Sequence, residues 1–142
     1  MLNKDKLKTA LKKESLRFTA QRQLVFDEVC RNVEHRDADD IFLSLRKRNK
    51  PVSRATVYRT IEVLVKNKLL KKLDVGDGRA RYERVDAAEH HDHIICVECG
   101  KIEEFIDREI EEFQEKIVRD RGDKMVRHIL QLFVVCKECG AN

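Results

Sequence analysis

The stretch "SRATVYRTIEVLVKNKLLKKLDVGDGRARYERV", residues 53–85, changes its hydrophobic period part-way along. Its first half sets Val57, Ile61, Leu64 and Val65 at helical spacing, one apolar stripe on a helix that Ser53 can cap. At ~100° per residue, Arg59 projects almost opposite that stripe and Tyr58 lies on its flank. The second half holds two strand-like runs, "LLKKLDV" and "RARYERV", joined around Asp77-Gly78, a strong hairpin signal. A helix with a polar outer face followed by a hairpin with basic strands is the closing part of a winged helix-turn-helix, provided that helices precede it.

They do. "DADDIFLSLRKRNK" has an acidic start and a basic finish, as the helix dipole favours, with Ile41, Phe42 and Leu45 facing inward. Pro51 breaks the chain after it. Upstream, "TAQRQLVFDEVCRNV" starts at a Thr19 cap and spaces Leu24, Val25, Val29 and Val33 helically, while Leu7, Leu11 and Leu16 give a short first helix.

Beyond residue 85 the period changes again. "HHDHIICVE" and "KIEEFI" read as strands about Gly100, and "DREIEEFQEKIVRDRG" as an amphipathic helix with Ile110, Phe113 and Ile117 in register and Ile106 just before it. "KMVRHILQLFVVC", residues 124–136, reads as one long strand. The expected fold class is α+β: residues 1–84 a winged helix-turn-helix, and residues 85–142 a small α/β domain, with a short hinge near "VDAAE".

Charge divides at the same place. Residues 1–84 hold 22 Lys/Arg against 12 Asp/Glu, net +10, and residues 85–142 hold 8 against 14, net −6. A basic half joined to an acidic half suits one module for a polyanion and another for cations. The N-terminus is charged throughout with no apolar run of signal-peptide length, and no stretch approaches the ~18 consecutive apolar residues a bilayer requires. A cytoplasmic location is therefore expected, and in a reducing compartment five cysteines point to metal rather than to disulfides.

Cys96-x2-Cys99 and Cys136-x2-Cys139 are two knuckles, each followed by glycine. That spacing lets two thiolates take adjacent corners of a tetrahedron, and two such pairs complete a closed, structural zinc site. Cys30 is left over on an apolar helix face, where a buried small hydrophobe is its plainest reading. Next to the first knuckle stands "HHDH", residues 90–93. On a strand, His91 and His93 share one face while His90 and Asp92 share the other, so a single strand can serve two nitrogen/oxygen sites. A lone histidine is usually a packed or solvated residue; four ligand types in succession before a zinc knuckle are not so easily dismissed.

In "LRFTAQR" (16–22), "ATVYRTIEVL" (55–64), "HHDHIICVECGKIEEF" (90–105) and the terminal "CKECG", the chain resembles the ferric uptake regulator (Fur) family of metal-dependent bacterial repressors. The resemblance implies a winged-helix DNA-binding domain, a dimerisation domain, and repression of double-stranded DNA operators by a metal-bound homodimer. Carried over residue by residue, it implies a regulatory metal site of His35, Glu83, His91, His93 and Glu104. It implies an additional site of His90, Asp92, Glu111 and His128, which repeats the division that strand alternation gives. For DNA, Tyr58 and Arg59 are the base-reading candidates, and the resemblance adds Arg17 as a minor-groove probe. The resemblance favours the iron-sensing branch: peroxide-sensing relatives tend to carry aspartates where this chain has Glu83 and Glu104, and zinc sensors use a cysteine that this chain lacks near the hinge, while a manganese-responsive member stays open as an alternative. Fe²⁺ is then the expected regulatory ion, with Mn²⁺ or Zn²⁺ as substitutes.

Two other classes compete. His90, Asp92 and His128 imitate the two-histidine, one-carboxylate triad of non-haem iron oxygenases. Against this, the second half is too short for the usual barrel, and catalysis leaves the basic half unexplained. A zinc-stapled interaction module without regulation would show neither turnover nor metal-dependent DNA binding.

Overall fold

The computed structural model describes residues 2–31, 35–85 and 92–141. The chain forms two compact units, Met1–Ala88 and Glu89–Asn142, and each is described by itself. The hinge at 86–89, His90 and His91 lie outside the described residues.

The first unit comprises α1 (Lys4–Lys13), α2 (Ala20–Arg31), α3 (Ala38–Lys47), α4 (Arg54–Lys66) and a hairpin of β1 (Leu70–Asp74) and β2 (Ala80–Arg84). The apolar stripes read from the sequence meet in one core: Leu7 and Leu11, Val25 and Val29, Ile41 and Leu45, and Val57, Ile61 and Leu64 are all buried. Leu16 and Cys30 are half-buried against it. Each helix start has a side-chain cap. Thr19 Oγ1 accepts from Arg22 N at 3.2 Å, and Ser53 caps α4 through Thr56 N. Asp37 and Asp40 form a reciprocal capping box on α3. The ends are less usual. Ser15, Asn49 and Lys68 follow α1, α3 and α4 with φ of 56°, 55° and 59°. Just past them, Leu16, Lys50 and Leu69 donate back to Leu11, Leu45 and Leu64 at 2.8–3.0 Å. These are Schellman closures built without glycine.

β1 and β2 pair antiparallel from Leu70↔Arg84 to Asp74↔Ala80. The turn between them uses Gly76 and Gly78 at φ of 82° and 77°, which a side chain would resist. The wing is stitched to the helices: Tyr82 N donates to Arg36 O at 2.9 Å, and Arg84 reaches Cys30 O at 2.9 Å.

The second unit comprises β3 (Asp92–Cys96), β4 (Ile102–Phe105), α5 (Arg108–Asp120), β5 (Gln131–Val134) and a single turn, α6 (Lys137–Gly140). β4 pairs antiparallel and β5 parallel with the central β3. The strand expected at 124–136 is shorter than its alternation suggested. Among the described residues β5 joins β3 from His93↔Gln131 onward, with His93 N donating to Leu130 O at that end of the ladder. Residues 123–130 carry no assigned strand. α5 is amphipathic as read, yet none of its residues is buried, and Phe113 and Ile117 are 65% and 61% exposed. No helix among the described residues is long and apolar enough to cross a membrane.

Candidate metal centres

The four cysteines converge. Cys96 leaves the end of β3, Cys99 its turn, and Cys136 and Cys139 flank α6. Cys96 and Cys139 sulfurs lie 3.9 Å apart, as do those of Cys99 and Cys136, and all four fall within 4.8 Å of one another. A disulfide needs about 2.05 Å. Four thiolates at ~2.3 Å from a tetrahedral zinc stand about 3.8 Å apart, so the donor set and its spacing fit that ion. The thiols are electrostatically unequal. Backbone N–H groups of Cys99 and Cys136 pull Cys96 down to about 6, whereas hydrogen bonding among the crowded thiols, from Cys136 and Cys99, pushes Cys139 up to about 12. Four sulfurs this close do not all ionise unaided, and a divalent cation is what makes four thiolates compatible.

β3 turns its next ligands to opposite sides. Asp92 is 1% exposed, and His128 Nε2 lies 3.5 Å from its carboxylate and 3.3 Å from that of Glu111 on α5. These three groups lie within 4.8 Å of one another, a nitrogen/oxygen set suited to a borderline or hard divalent ion. His128 stands before β5, in the segment without assigned strand rather than in the long strand read at 124–136, and Val126 near it is 93% exposed. On the other face His93 is buried and pairs across the ladder with Glu104. In the first unit, His35 Nε2 and Glu83 Oε2 meet at 2.9 Å, with Lys71 3.9 Å from the same carboxylate. His90 and His91 belong to the undescribed residues.

One oxygen donor escaped the sequence reading. Gln114 follows Glu111 by one turn on the same face of α5, and its Oε1 is buried with no hydrogen-bond partner among the described residues. An amide carbonyl is a metal-ligand type alongside the ionisable side chains. The i, i+3 spacing was the available signal.

The Ferric uptake regulator family profile matches residues 13–133. The chain belongs to the ferric uptake regulator family. It is 38% identical over 135 residues to the ferric uptake regulation protein of Helicobacter pylori, covering 95% of this chain and 89% of that protein. With its Bacillus subtilis counterpart the identity is 34% over 141 residues, 97% and 95% of the two chains. Among solved structures, the H. pylori ferric uptake regulator, described as having three functional metal-binding sites, superposes with a TM-score of 0.86 at 38% identity, over 96% of this chain and 90% of that one. The Francisella tularensis regulator with iron gives 0.81 at 32%, covering 88% and 95%. The Pseudomonas aeruginosa regulator with manganese gives 0.73 at 33%, covering 92% and 97%. Fur proteins are metal-responsive transcription regulators that bind DNA and act as dimers, which sets the oxygenase reading aside.

The Fur assignment makes the first unit's outer surface the place to seek a nucleic-acid face. Tyr58 is 42% exposed and Arg59 and Arg17 are exposed. Burial, together with the nearby Asp39 carboxylate, holds the Tyr58 phenol above its ordinary value. The wing's arginines, by contrast, are engaged internally: Arg79 Nε binds Asp37 at 2.8 Å and Arg81 binds Asp77 at 2.7 Å.

Proposed function

We propose that this Fur protein is an Fe²⁺-responsive repressor that binds A/T-rich inverted-repeat operators as a homodimer. In this reading His35, Glu83, His91, His93 and Glu104 are the regulatory ligands. His90, Asp92, Glu111 and His128 form the additional site, and the four cysteines hold structural zinc. Arg17 probes the minor groove, while Tyr58 and Arg59 read bases. The observation that carries the reading is the division at β3. Asp92 and His93 turn to opposite faces, each beside its own carboxylate partner, next to a thiolate set with no coordination position to spare.

Imidazole–carboxylate ligands accept several divalent ions and cellular availability helps decide among them; without a thiolate in the regulatory set, we take Fe²⁺ as that ion. The solved relatives with iron and with manganese support that choice. Ligands drawn from both halves of the chain couple metal to DNA. Their closure on one ion limits the arrangements open to the two units and raises the fraction of molecules competent to bind an operator. A hundredfold rise in operator affinity corresponds to about 2.7 kcal/mol of differential binding.

The test is an anaerobic operator titration with Fe²⁺, Mn²⁺ and Zn²⁺, on wild type and His93→Ala. Iron should stimulate the wild type most. His93→Ala should lose the stimulation while keeping its thiolate-bound zinc. Operator affinity that no metal alters would end the metalloregulator reading, and preferential stimulation by Mn²⁺ or Zn²⁺ would end the iron assignment.

A further inference from the structure

α1 breaks a local rule. Lys4 and Lys6 occupy its first turn, where the positive end of the helix dipole disfavours cations. Lys4, Lys8 and Lys12 follow one another at four-residue spacing along one exposed stripe that flanks the buried Leu7, Ala10 and Leu11. Residues 1–22 carry seven Lys/Arg against two carboxylates. Of those two, Glu14 is tied to Lys66 at 2.6 Å and to Asn67, leaving Asp5 alone near the stripe. Among the described residues no carboxylate forms an ion pair with Lys4, Lys8 or Lys12.

An aromatic organises the stripe. The Lys4 and Lys8 ammonium groups sit 5.1 and 5.5 Å from the centre of the Phe18 ring, itself 38% exposed and next to the exposed Arg17. A ring orients an ammonium without neutralising it. The wing differs: Arg79 and Arg81 are held by Asp37 and Asp77, Arg84 by the Cys30 carbonyl, and Lys71 lies 3.9 Å from Glu83. The wing's arginines are committed to the fold, and the first helix keeps its cations free.

We propose that the Lys4–Lys8–Lys12 stripe of α1, organised by Phe18, is a second DNA-binding surface that contacts backbone phosphates. The inference rests on the DNA-binding reading above and adds where the polyanion is gripped. Phosphate contacts of this kind strengthen binding without reading sequence.

The experiment uses the full chain with its zinc and saturating Mn²⁺. The logarithm of affinity is measured against the logarithm of salt concentration, for an operator duplex and for an unrelated one. Lys4→Gln/Lys8→Gln/Lys12→Gln keeps good helix formers at exposed positions. The salt slope should shrink by about 0.9 for each lost phosphate contact, hence by about five when all six lysines of a dimer are engaged. The loss should be the same on both duplexes, leaving the preference for operator intact. Lys4→Arg/Lys8→Arg/Lys12→Arg should retain the wild-type slope. An unchanged slope in the glutamine variant, or an equal loss in the arginine variant, overturns the proposal. An unchanged slope with loss of binding to phosphatidylserine vesicles would reassign the stripe to a lipid surface. The unrelated duplex keeps this test separate from the proposed function, because it needs no metal-dependent operator recognition.

Discussion

Glu28 lies on a helix face that Val25 and Val29 make apolar, and it is completely buried. Burial pushes its carboxyl up, but hydrogen bonds from Arg31, Ser44, Arg36 and Arg48 outweigh this and hold it well below the usual carboxylate range. A folded-state pKa below the unfolded value gives stability that is fully present above the unfolded pKa of ~4.5 and is lost as pH falls towards the folded value. Glu28→Gln should therefore cost roughly 2–3 kcal/mol at pH 7, less than for a wholly buried network because Arg31 and Arg48 are 47% and 38% exposed. Urea denaturation at pH 7 and pH 3.5 checks it, since the difference from wild type should narrow at the lower pH. A second residue-scale effect lies at Lys68, held at φ 59° beyond α4. Lys68→Gly should raise stability by about 0.5–1 kcal/mol, because the left-handed conformation penalises a Cβ; an unchanged or lower Tm would contradict this. Neither feature was legible in the sequence. Glu28 resembles any solvated helix carboxylate, and the helix ends at Ser15, Asn49 and Lys68 lack the glycine that normally marks such closures.

Elements were legible wherever burial is settled within the chain itself. The stripes of α1 to α4 face one core and were read from their spacing, as was the hairpin from its turn. The second unit was read less well for one reason. Alternation at 124–136 records which way side chains point, not where a backbone ladder runs, and among the described residues β5 pairs with β3 only from residue 131. Charge has the same limit: the basic residues that mark the hairpin in the sequence do not show their partners, and Asp37 both caps α3 and binds Arg79. Function at this scale should separate along those lines. Arg59 is exposed on α4, and Arg59→Ala should cost about 1–3 kcal/mol at the cognate operator if it reads a base. Competition binding with the unrelated duplex checks it, because an equal loss on both would make Arg59 a phosphate contact instead.

For the molecule as a whole, the second unit is unfinished as a single copy. Phe113, Ile117, Val126 and Ile129 are 65%, 61%, 93% and 72% exposed, and Phe133 and Val135 are both at 51%. Complete burial of a side chain of this size contributes about 1.5–3 kcal/mol, so a monomer that leaves six in water forgoes much of its stabilisation. Fur proteins act as dimers, and a second copy packed on this face would supply the cover. The zinc site is tied to the same surface, since Cys136 and Cys139 follow directly on β5, whose Phe133 is part of the exposed set. Structural zinc contributes folding free energy, and thiolates from β3 and α6 join the sheet's centre to the chain that leaves its edge. Cys136→Ser should therefore release one zinc per chain and, with it, dissociate the dimer. Zinc analysis alongside sedimentation follows both quantities. Ile129→Lys should give monomers that keep their zinc, because a charge is buried at the interface while the four thiolates are untouched. If Cys136→Ser lost zinc but remained a stable dimer, the metal would not be stapling the interface. If Ile129→Lys also remained dimeric, the exposed apolar face would not be where two copies meet.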